Sequence, residues 1–317
     1  MQTRKLGWTD LDLSIIGLGA WAMGGSDWQF GWGPQDDEIS IATIHKALDL
    51  GINWIDTAPA YGLGHSEEVI GKAIHGMQEK PYLATKCTRV WGEDRILFGS
   101  LKRESILREA EASLQRLGVE CIDLYQIHWP NPEEDLEEGW RALETLIQNG
   151  KIRYAGVSNF SVEQMQSMGA IHPIASLQPP YSILRRGVEE KILPYCGEQQ
   201  IGVIPYSPLQ KGLLTGKVTP DWVADLPEDD HRHGDPDFYS PRLSRNIRIA
   251  AGLADIARES GHTAAQLAIA WTLRRPEVTA PIIGARKPSQ IEGTAPAGDW
   301  ELSQAEIAAV EELLEEA

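Results

Sequence analysis

The chain has 317 residues, 42% of them hydrophobic, and a formal net charge of -17. That length suits one large α/β barrel or two ordinary domains. The acidic balance argues against nucleic acid or an anionic membrane as main partner, so an anionic ligand has to be met by local basic groups.

The three cysteines, Cys87, Cys121 and Cys196, are scattered and form no CxxC pair, which suits a reducing compartment. The opening segment MQTRKLGWTDLDLS has no apolar signal core, and no apolar run is long enough to span a bilayer. The expectation is a cytoplasmic protein. Its oligomeric state is not legible.

In chain order, residues 2 to 14 predict a short hairpin, and SIIGLG a strand ending at Gly19. A helix follows from Asp37 to Leu50, with Ile41, Ile44, Ala47 and Leu48 on one face, Asp36 as N-cap and Gly51 as its stop. Strand NWID precedes helix SEEVIGKAI. Strand YLATK precedes a helix over 102–117, and DLYQIH a helix over 135–149. IRYAGVS is followed by a helix over 161–168, ASLQ by one over 188–200, and then comes IGVIPYS. A long irregular stretch, about 207 to 245, includes the charged, Pro-rich run EDDHRHGDPDFYSPR, expected to be mobile. Helices near 246–260 and 263–274, strand APIIG, a helix near 288–294 and a last amphipathic helix over 303–315 complete the chain.

Apolar strands that read as continuous runs suit a parallel sheet covered on both faces. Eight strand–helix units predict a (β/α)8 TIM barrel, with an N-terminal β-hairpin and an appended C-terminal helix, as one domain over 1–317. An open doubly wound sheet is the alternative.

In such a barrel the chemistry sits at the carboxyl ends of the strands. Those ends carry Asp56, Lys86, His128, Ser158, Asn159, Gln178, Tyr206, Ser207 and Gly284 through Arg286. Singly, each has a bland reading as a turn cap or a solvated charge. Together they converge on one mouth. A tyrosine with a reference pKa near 10 is a poor acid, but an adjacent ammonium favours its phenolate. Asp56 would hold Lys86, Lys86 would tune Tyr61, and a neutral His128 could orient a carbonyl oxygen. Such a set protonates a carbonyl; a hydride must come from a cofactor. Asn159 and Gln178 offer amides for a carboxamide, and Tyr206 a flat face for a ring. The loop SPLQKGLLTGK (with Ser207, Leu209, Gly212 and Lys217) offers N–H groups and a cation for phosphates. Arg286 and Lys287 precede the helix that begins at Pro288 and carries Gln290, a candidate anion site.

These segments carry a resemblance. GINWIDTAPAYGLGHSEEVIGKAI, YLATK, IDLYQIHWP, GKIRYAGVSNFS, LQPPYS and IGVIPYSPLQKGLLTGK occur in the order found in the aldo-keto reductase superfamily. GDPDFYSPR and IIGARKPSQIE resemble its bacterial general-stress branch, akin to the potassium-channel β-subunits. The resemblance implies a (β/α)8 barrel and NADP(H)-dependent, reversible reduction of a small carbonyl substrate. It implies Tyr61 as general acid/base tuned by Lys86 and Asp56, and His128 orienting the substrate. Ser158, Asn159 and Gln178 would meet the nicotinamide amide, with Tyr206 stacked on the ring. Gly293-Thr294 stands where many relatives have Glu-Asn near the adenine, and Gln290 where many have Arg or Lys.

GLGAWA (17–22) fits the Rossmann glycine fingerprint, but the chain runs on into loop instead of helix, so it is rejected as such. Trp21 and Met23 are assigned to the cofactor–substrate cleft instead, and Trp21 and Trp129 to an aromatic substrate pocket. His231 and His233 lack zinc-ligand spacing and are read as solvated loop. Two rival functions stay open: an aldolase or lyase with Lys86 as Schiff-base amine, which Asp56 disfavours, and a cofactor-binding sensor or partner subunit with little turnover.

Overall fold

The computed structural model describes residues 1–316. Eight parallel strands form its centre: β1 (Gly17–Gly19), β2 (Trp54–Asp56), β3 (Tyr82–Cys87), β4 (Ile122–Ile127), β5 (Ile152–Ser158), β6 (Ser176–Gln178), β7 (Gly202–Val203) and β8 (Ile282–Gly284). Neighbours pair in sequence order, and β8 pairs with β1. On the far side, Thr279 N–H donates to Val203 O and Ile282 N–H to Pro205 O, both at 2.8 Å, which closes the sheet into a barrel. Helices follow the strands as expected. The first spans Asp37–Asp49, and Asp36 caps it by accepting from Ile39 N–H at 3.0 Å. Ser161 and Thr263 each start a helix with a reciprocal capping box.

The hairpin pairs Thr3–Lys5 with Asp12–Ser14 and plugs the amino-terminal end of the barrel. Its Leu6, Leu11 and Leu13 pack with Trp54, Leu124, Ile204 and Ile282. The Trp54 indole lies where a side chain on residue 17 would stand; a Cβ there would come within 2.1 Å of the ring, so Gly17 makes the room. The plug leaves only the carboxyl end open. At the other extremity, the helix Gln304–Glu316 packs Leu313 against Gly252, and Arg186 pairs with Glu311.

The sequence expectation departs from the structure in three places. A hairpin over Arg89–Trp91 and Leu97–Gly99 was not foreseen; it is only three residues per strand, and its turn runs through Gly92 to Ile96 without apolar alternation. The helix expected from 246 begins at Arg242. Most importantly, the 207–245 stretch, expected to be irregular, contains local structure. It includes short helical turns at Pro220–Ala224, His231–Gly234 and Pro236–Phe238, and a kinked pair of turns over Gln210–Thr215. Asp230, Arg232, Asp235 and Phe238 are buried in it. Among the described residues no helix is long and apolar enough to cross a membrane.

Candidate active site

The open end of the barrel holds a cleft of about 1460 Å³. That exceeds a pocket for a small molecule alone, roughly 300–1,000 Å³, and leaves room for a dinucleotide beside a small substrate. Its floor is made by the strand tips. Asp56 ends β2 in register with Ala84 of β3, and Lys86 lies two residues further along β3, on the same face. Both are deeply buried: the Lys86 side chain is 0% exposed and Asp56 4%. Lys86 Nζ donates to Asp56 Oδ2 at 2.7 Å, to Thr57 O at 2.8 Å and to the Tyr61 hydroxyl at 3.4 Å. Nζ also stands 5.1 Å from the centre of the Tyr61 ring.

Tyr61 reaches this position because two loops touch. Gly24 and Gly62 lie so close that a Cβ on Gly62 would come within 2.3 Å of Gly24 O, and Gly62 has φ +66°. Both need glycine, one for space and one also for conformation. Burial and the Asp56 charge push the Tyr61 phenol well above its ordinary value of 10. The expected downward tuning by Lys86 is not the dominant effect, because the ammonium is engaged by Asp56 and Thr57 O at much shorter range. Burial lowers the Lys86 pKa, and Asp56 opposes that. His128 follows β4 with its ring centre 5.9 Å from that of Tyr61. Burial, then Lys86 and Arg89, hold it well below 6.5, so it is neutral. The set presents a protonated phenol and a neutral imidazole over a buried ion pair.

Two glutamines complete the floor. Gln178 Nε2 donates to Asp56 Oδ1 at 2.7 Å, and Gln126 Nε2 approaches the same oxygen at 3.4 Å. Gln126 was missed in the sequence because it lies mid-strand in an apolar run; a buried polar residue in a barrel strand was the available signal. Gln178 therefore has its side-chain amino group committed to the floor, while its side-chain oxygen Oε1 has no hydrogen-bond partner among the described residues. Asn159, at φ +63°, donates to His128 O and Ser158 Oγ, both at 3.0 Å, and accepts from the Tyr206 hydroxyl at 2.9 Å. Ser158 Oγ donates to Gln178 O at 2.8 Å. The three residues thus fix one another at the cleft wall, with the Tyr206 ring beside them. Burial pushes the Tyr206 phenol up to about 12.

The rest of the cleft is a long arm. Ser207, Leu209, Gly212, Lys217, Gly284, Arg286, Lys287 and Gln290 all line it. Positive φ at Ser207, Gln210, Lys211 and Gly212 turns the backbone sharply there, and such turns expose N–H groups to an anion. A Cβ on Gly212 would meet nothing within 4 Å. Arg286 is partly committed: Nε donates to Gln35 Oε1 and Nη1 to Trp32 O, both at 2.9 Å, and Nη2 to Pro34 O. A guanidinium has five N–H groups, so two remain for a phosphate. Gln290 accepts from Arg286 N–H. These features fit a nicotinamide dinucleotide.

Trp21 and Trp129 line the cleft as expected, Trp129 being 43% exposed at the rim. Met23 does not. It is 1% exposed and belongs to the main core. Trp21–Gly24 forms a tight helical turn, so residues two apart face different ways, Trp21 toward the cleft and Met23 inward. The segment after Gly19, read as loop, thus holds one short helical turn that stops at Gly24.

His231 is likewise corrected. Its side chain is 5% exposed, with ring centres 4.6 Å from both Trp21 and Trp32, and Nδ1 lies 3.0 Å from Gly31 O. Burial holds it at about 4. Beside it, Arg232 pairs with buried Asp230 and lies between Trp32 and Trp222, 4.7 and 4.8 Å from their ring centres. The charges satisfy each other within three residues, which is why a segment that reads as polar packs as a lid over the cleft. No group of metal-ligating side chains occurs among the described residues.

A closed parallel barrel with an Asp–Lys–Tyr–His floor and a dinucleotide-sized cleft defines a class of oxidoreductase. The chain belongs to the aldo/keto reductase family, whose model matches residues 15–315. It is 41% identical to "Aldo-keto reductase YhdN" of Bacillus subtilis, over 99% of this chain and 94% of that one. It is 35% identical to an Escherichia coli protein named "NADH-specific methylglyoxal reductase", over 99% of both chains. Among solved structures it resembles a glycerol dehydrogenase, AKR11B4, from Gluconobacter oxydans, with a TM-score of 0.90, 40% identity, and 99% and 95% of the two chains covered.

Proposed function

We propose that the protein is a nicotinamide-dependent carbonyl reductase that prefers NADPH and reduces small aldehydes or ketones to alcohols. The observation that carries this reading is the buried chain Asp56–Lys86–Tyr61, with links of 2.7 and 3.4 Å, ending at the cleft beside neutral His128. When bound, the cofactor supplies the hydride. Ser158, Asn159 and Gln178 would hold its carboxamide, Tyr206 would flank its ring, and the 207–217 turn with Arg286 and Lys287 would take its phosphates.

The protein's own part is proton transfer and positioning. Tyr61, kept protonated by burial, donates its proton to the carbonyl oxygen as negative charge develops there. The Lys86 ammonium stabilises the phenolate left behind, and Asp56 keeps that ammonium charged in a buried place. A neutral His128 can hydrogen-bond the carbonyl oxygen without competing for the proton. The same pairing disfavours Lys86 as a Schiff-base nucleophile, since a protonated amine does not attack. The relatives' names make methylglyoxal, and glycerol in the reverse direction, the first compounds to try.

The test is oxidation of NADPH and NADH by a panel of aldehydes, with Tyr61→Phe as control. Tyr61→Phe is expected to bind cofactor normally and to lose roughly 10²- to 10⁴-fold in kcat. Near wild-type turnover would remove Tyr61 from the chemistry.

A further inference from the structure

Arg89 was not expected at the site, yet it lines the cleft. It follows Thr88, a buried β-branched residue at φ +78°. A β-branched side chain in that region is strained and needs neighbours to hold it. They are present: Thr88 N–H donates to Glu109 Oε2 at 2.7 Å, and Thr88 O accepts from Ser100 N–H at 3.1 Å. The kink breaks the chain away from β3 and starts the rim hairpin at Arg89. His128 stands next to this turn, its N–H donating to Cys87 O at 3.2 Å.

The cations on the cleft walls nearest the lid are neutralised. Lys211 pairs with Asp235 at 2.7 Å, Arg232 with Asp230 at 2.6 Å, and Arg185 with Asp237 at 3.3 Å. Lys217 and Lys287 lie exposed along the arm assigned to phosphates. Arg89 differs from both groups. Its side chain is half-buried and makes no hydrogen bond or ion pair among the described residues. Its positive charge is felt at His128. In a chain of net charge -17, where carboxylates neutralise the cleft cations nearest the lid, this one faces the reacting end unpaired. A partly desolvated guanidinium costs free energy unless it meets an anion, and its planar fork suits a carboxylate or phosphate.

We propose that Arg89 is a specificity-determining residue that binds the anionic group of the carbonyl substrate, so that this reductase acts on aldehydes or ketones bearing a carboxylate or phosphate a few carbons from the carbonyl. This rests on the carbonyl-reductase reading of the site. The carbonyl would lie at Tyr61 and His128, with the anion toward the rim hairpin. The Leu97 side of that hairpin and Trp129 provide an apolar wall between them.

The experiment measures kcat/KM for matched pairs that differ in charge: succinic semialdehyde against methyl 4-oxobutanoate, and glyceraldehyde 3-phosphate against glyceraldehyde. Wild type, Arg89→Gln and Arg89→Lys are compared. The anionic-to-neutral ratio is expected to fall at least tenfold in Arg89→Gln and to be partly restored in Arg89→Lys. The pair that responds tells carboxylate from phosphate. A ratio unchanged by Arg89→Gln in both pairs overturns the proposal even if every compound is reduced. If no carbonyl compound is reduced, the reductase reading fails instead. Calorimetric titration with succinate and inorganic phosphate then decides Arg89 independently. Binding weakened at least tenfold in Arg89→Gln supports the anion site; equal binding, or none to wild type, sinks it.

Discussion

Asp56→Asn keeps the shape of the floor and removes one charge. Asparagine has one acceptor oxygen where Asp56 uses two; that oxygen can keep the Lys86 bond, and a flipped Gln178 amide can accept from the new N–H2, so the change is mainly electrostatic. At the Asp56–Lys86 separation of 2.7 Å, two unit charges at an effective dielectric of 20 attract by about 6 kcal/mol. Breaking a buried pair by removing one partner typically costs about 3–5 kcal/mol net. The variant has one escape: Lys86 can release its proton. That costs about 1.36 kcal/mol for each pH unit below 10.5, so the escape is worth little near pH 7, where it costs about 5 kcal/mol. At pH 9.5 it costs only about 1.4 kcal/mol. The sign follows from the direction of the Lys86 shift. Its folded-state pKa is already lowered by burial, and loss of Asp56 lowers it further. The unfolded chain then binds more protons between the folded value and 10.5, so stability rises with pH across that window. The expected result is a deficit of about 3–5 kcal/mol at pH 7, or roughly 5–8 °C in Tm, shrinking to about 1–2 kcal/mol at pH 9.5. Denaturant unfolding of both proteins at several pH values provides the difference. Glu109, which burial raises to about 7, titrates in both and cancels. A deficit below about 1 kcal/mol at pH 7, or one that does not shrink by pH 9.5, would refute the buried-charge account.

Two further perturbations separate the arms of the cleft. Arg286→Ala should weaken NADPH binding roughly ten- to a hundred-fold, the loss of a charged hydrogen bond of about 1.5–3 kcal/mol, with a much smaller change for NADH. Tryptophan fluorescence titration of both cofactors checks it; equal losses would mean that Arg286 acts through its grip on Trp32 and Pro34, and the preference for NADPH would fall. Arg232→Ala leaves Asp230 buried without its partner and empties the space between Trp32 and Trp222. Limited proteolysis within 225–240 should accelerate at least about tenfold, equivalent to 1.4 kcal/mol of local opening, while the barrel's Tm changes little. An unchanged cleavage rate would mean that the lid is held elsewhere.

The barrel was legible because its strands and helices announce themselves locally. Apolar runs, capping residues such as Asp36, and stops such as Gly51 are short-range signals, and the structure places those elements within a few residues of expectation. Asp56, Lys86 and His128 were legible for a related reason. A polar residue at the end of an apolar strand is conspicuous, and the barrel topology brings strand ends together. Gln126 carries no such mark, being enclosed within β4. Met23 failed because assignment to a loop does not say which way a side chain turns.

The lid failed for a different physical reason. Composition treats each charge in EDDHRHGDPDF as a claim on solvent, but a charge needs water only until it finds a partner. Asp230 Oδ1 accepts from both the backbone N–H and Nε of Arg232, at 3.0 and 2.8 Å, so the pair is assembled within one tight turn. Once neutral as a unit, it can be buried, and the Arg232 guanidinium then offers its flat faces to Trp32 and Trp222. Those tryptophans lie nearly two hundred residues apart in sequence, so no local window could have joined them. Arg89 is the converse case. It sits in CTRVWG, where nothing marks it as more than a solvated charge, and only the fold reveals that no carboxylate comes to meet it. A paired charge in the lid builds the wall of the cleft, and an unpaired one at the rim leaves a place for the substrate's own.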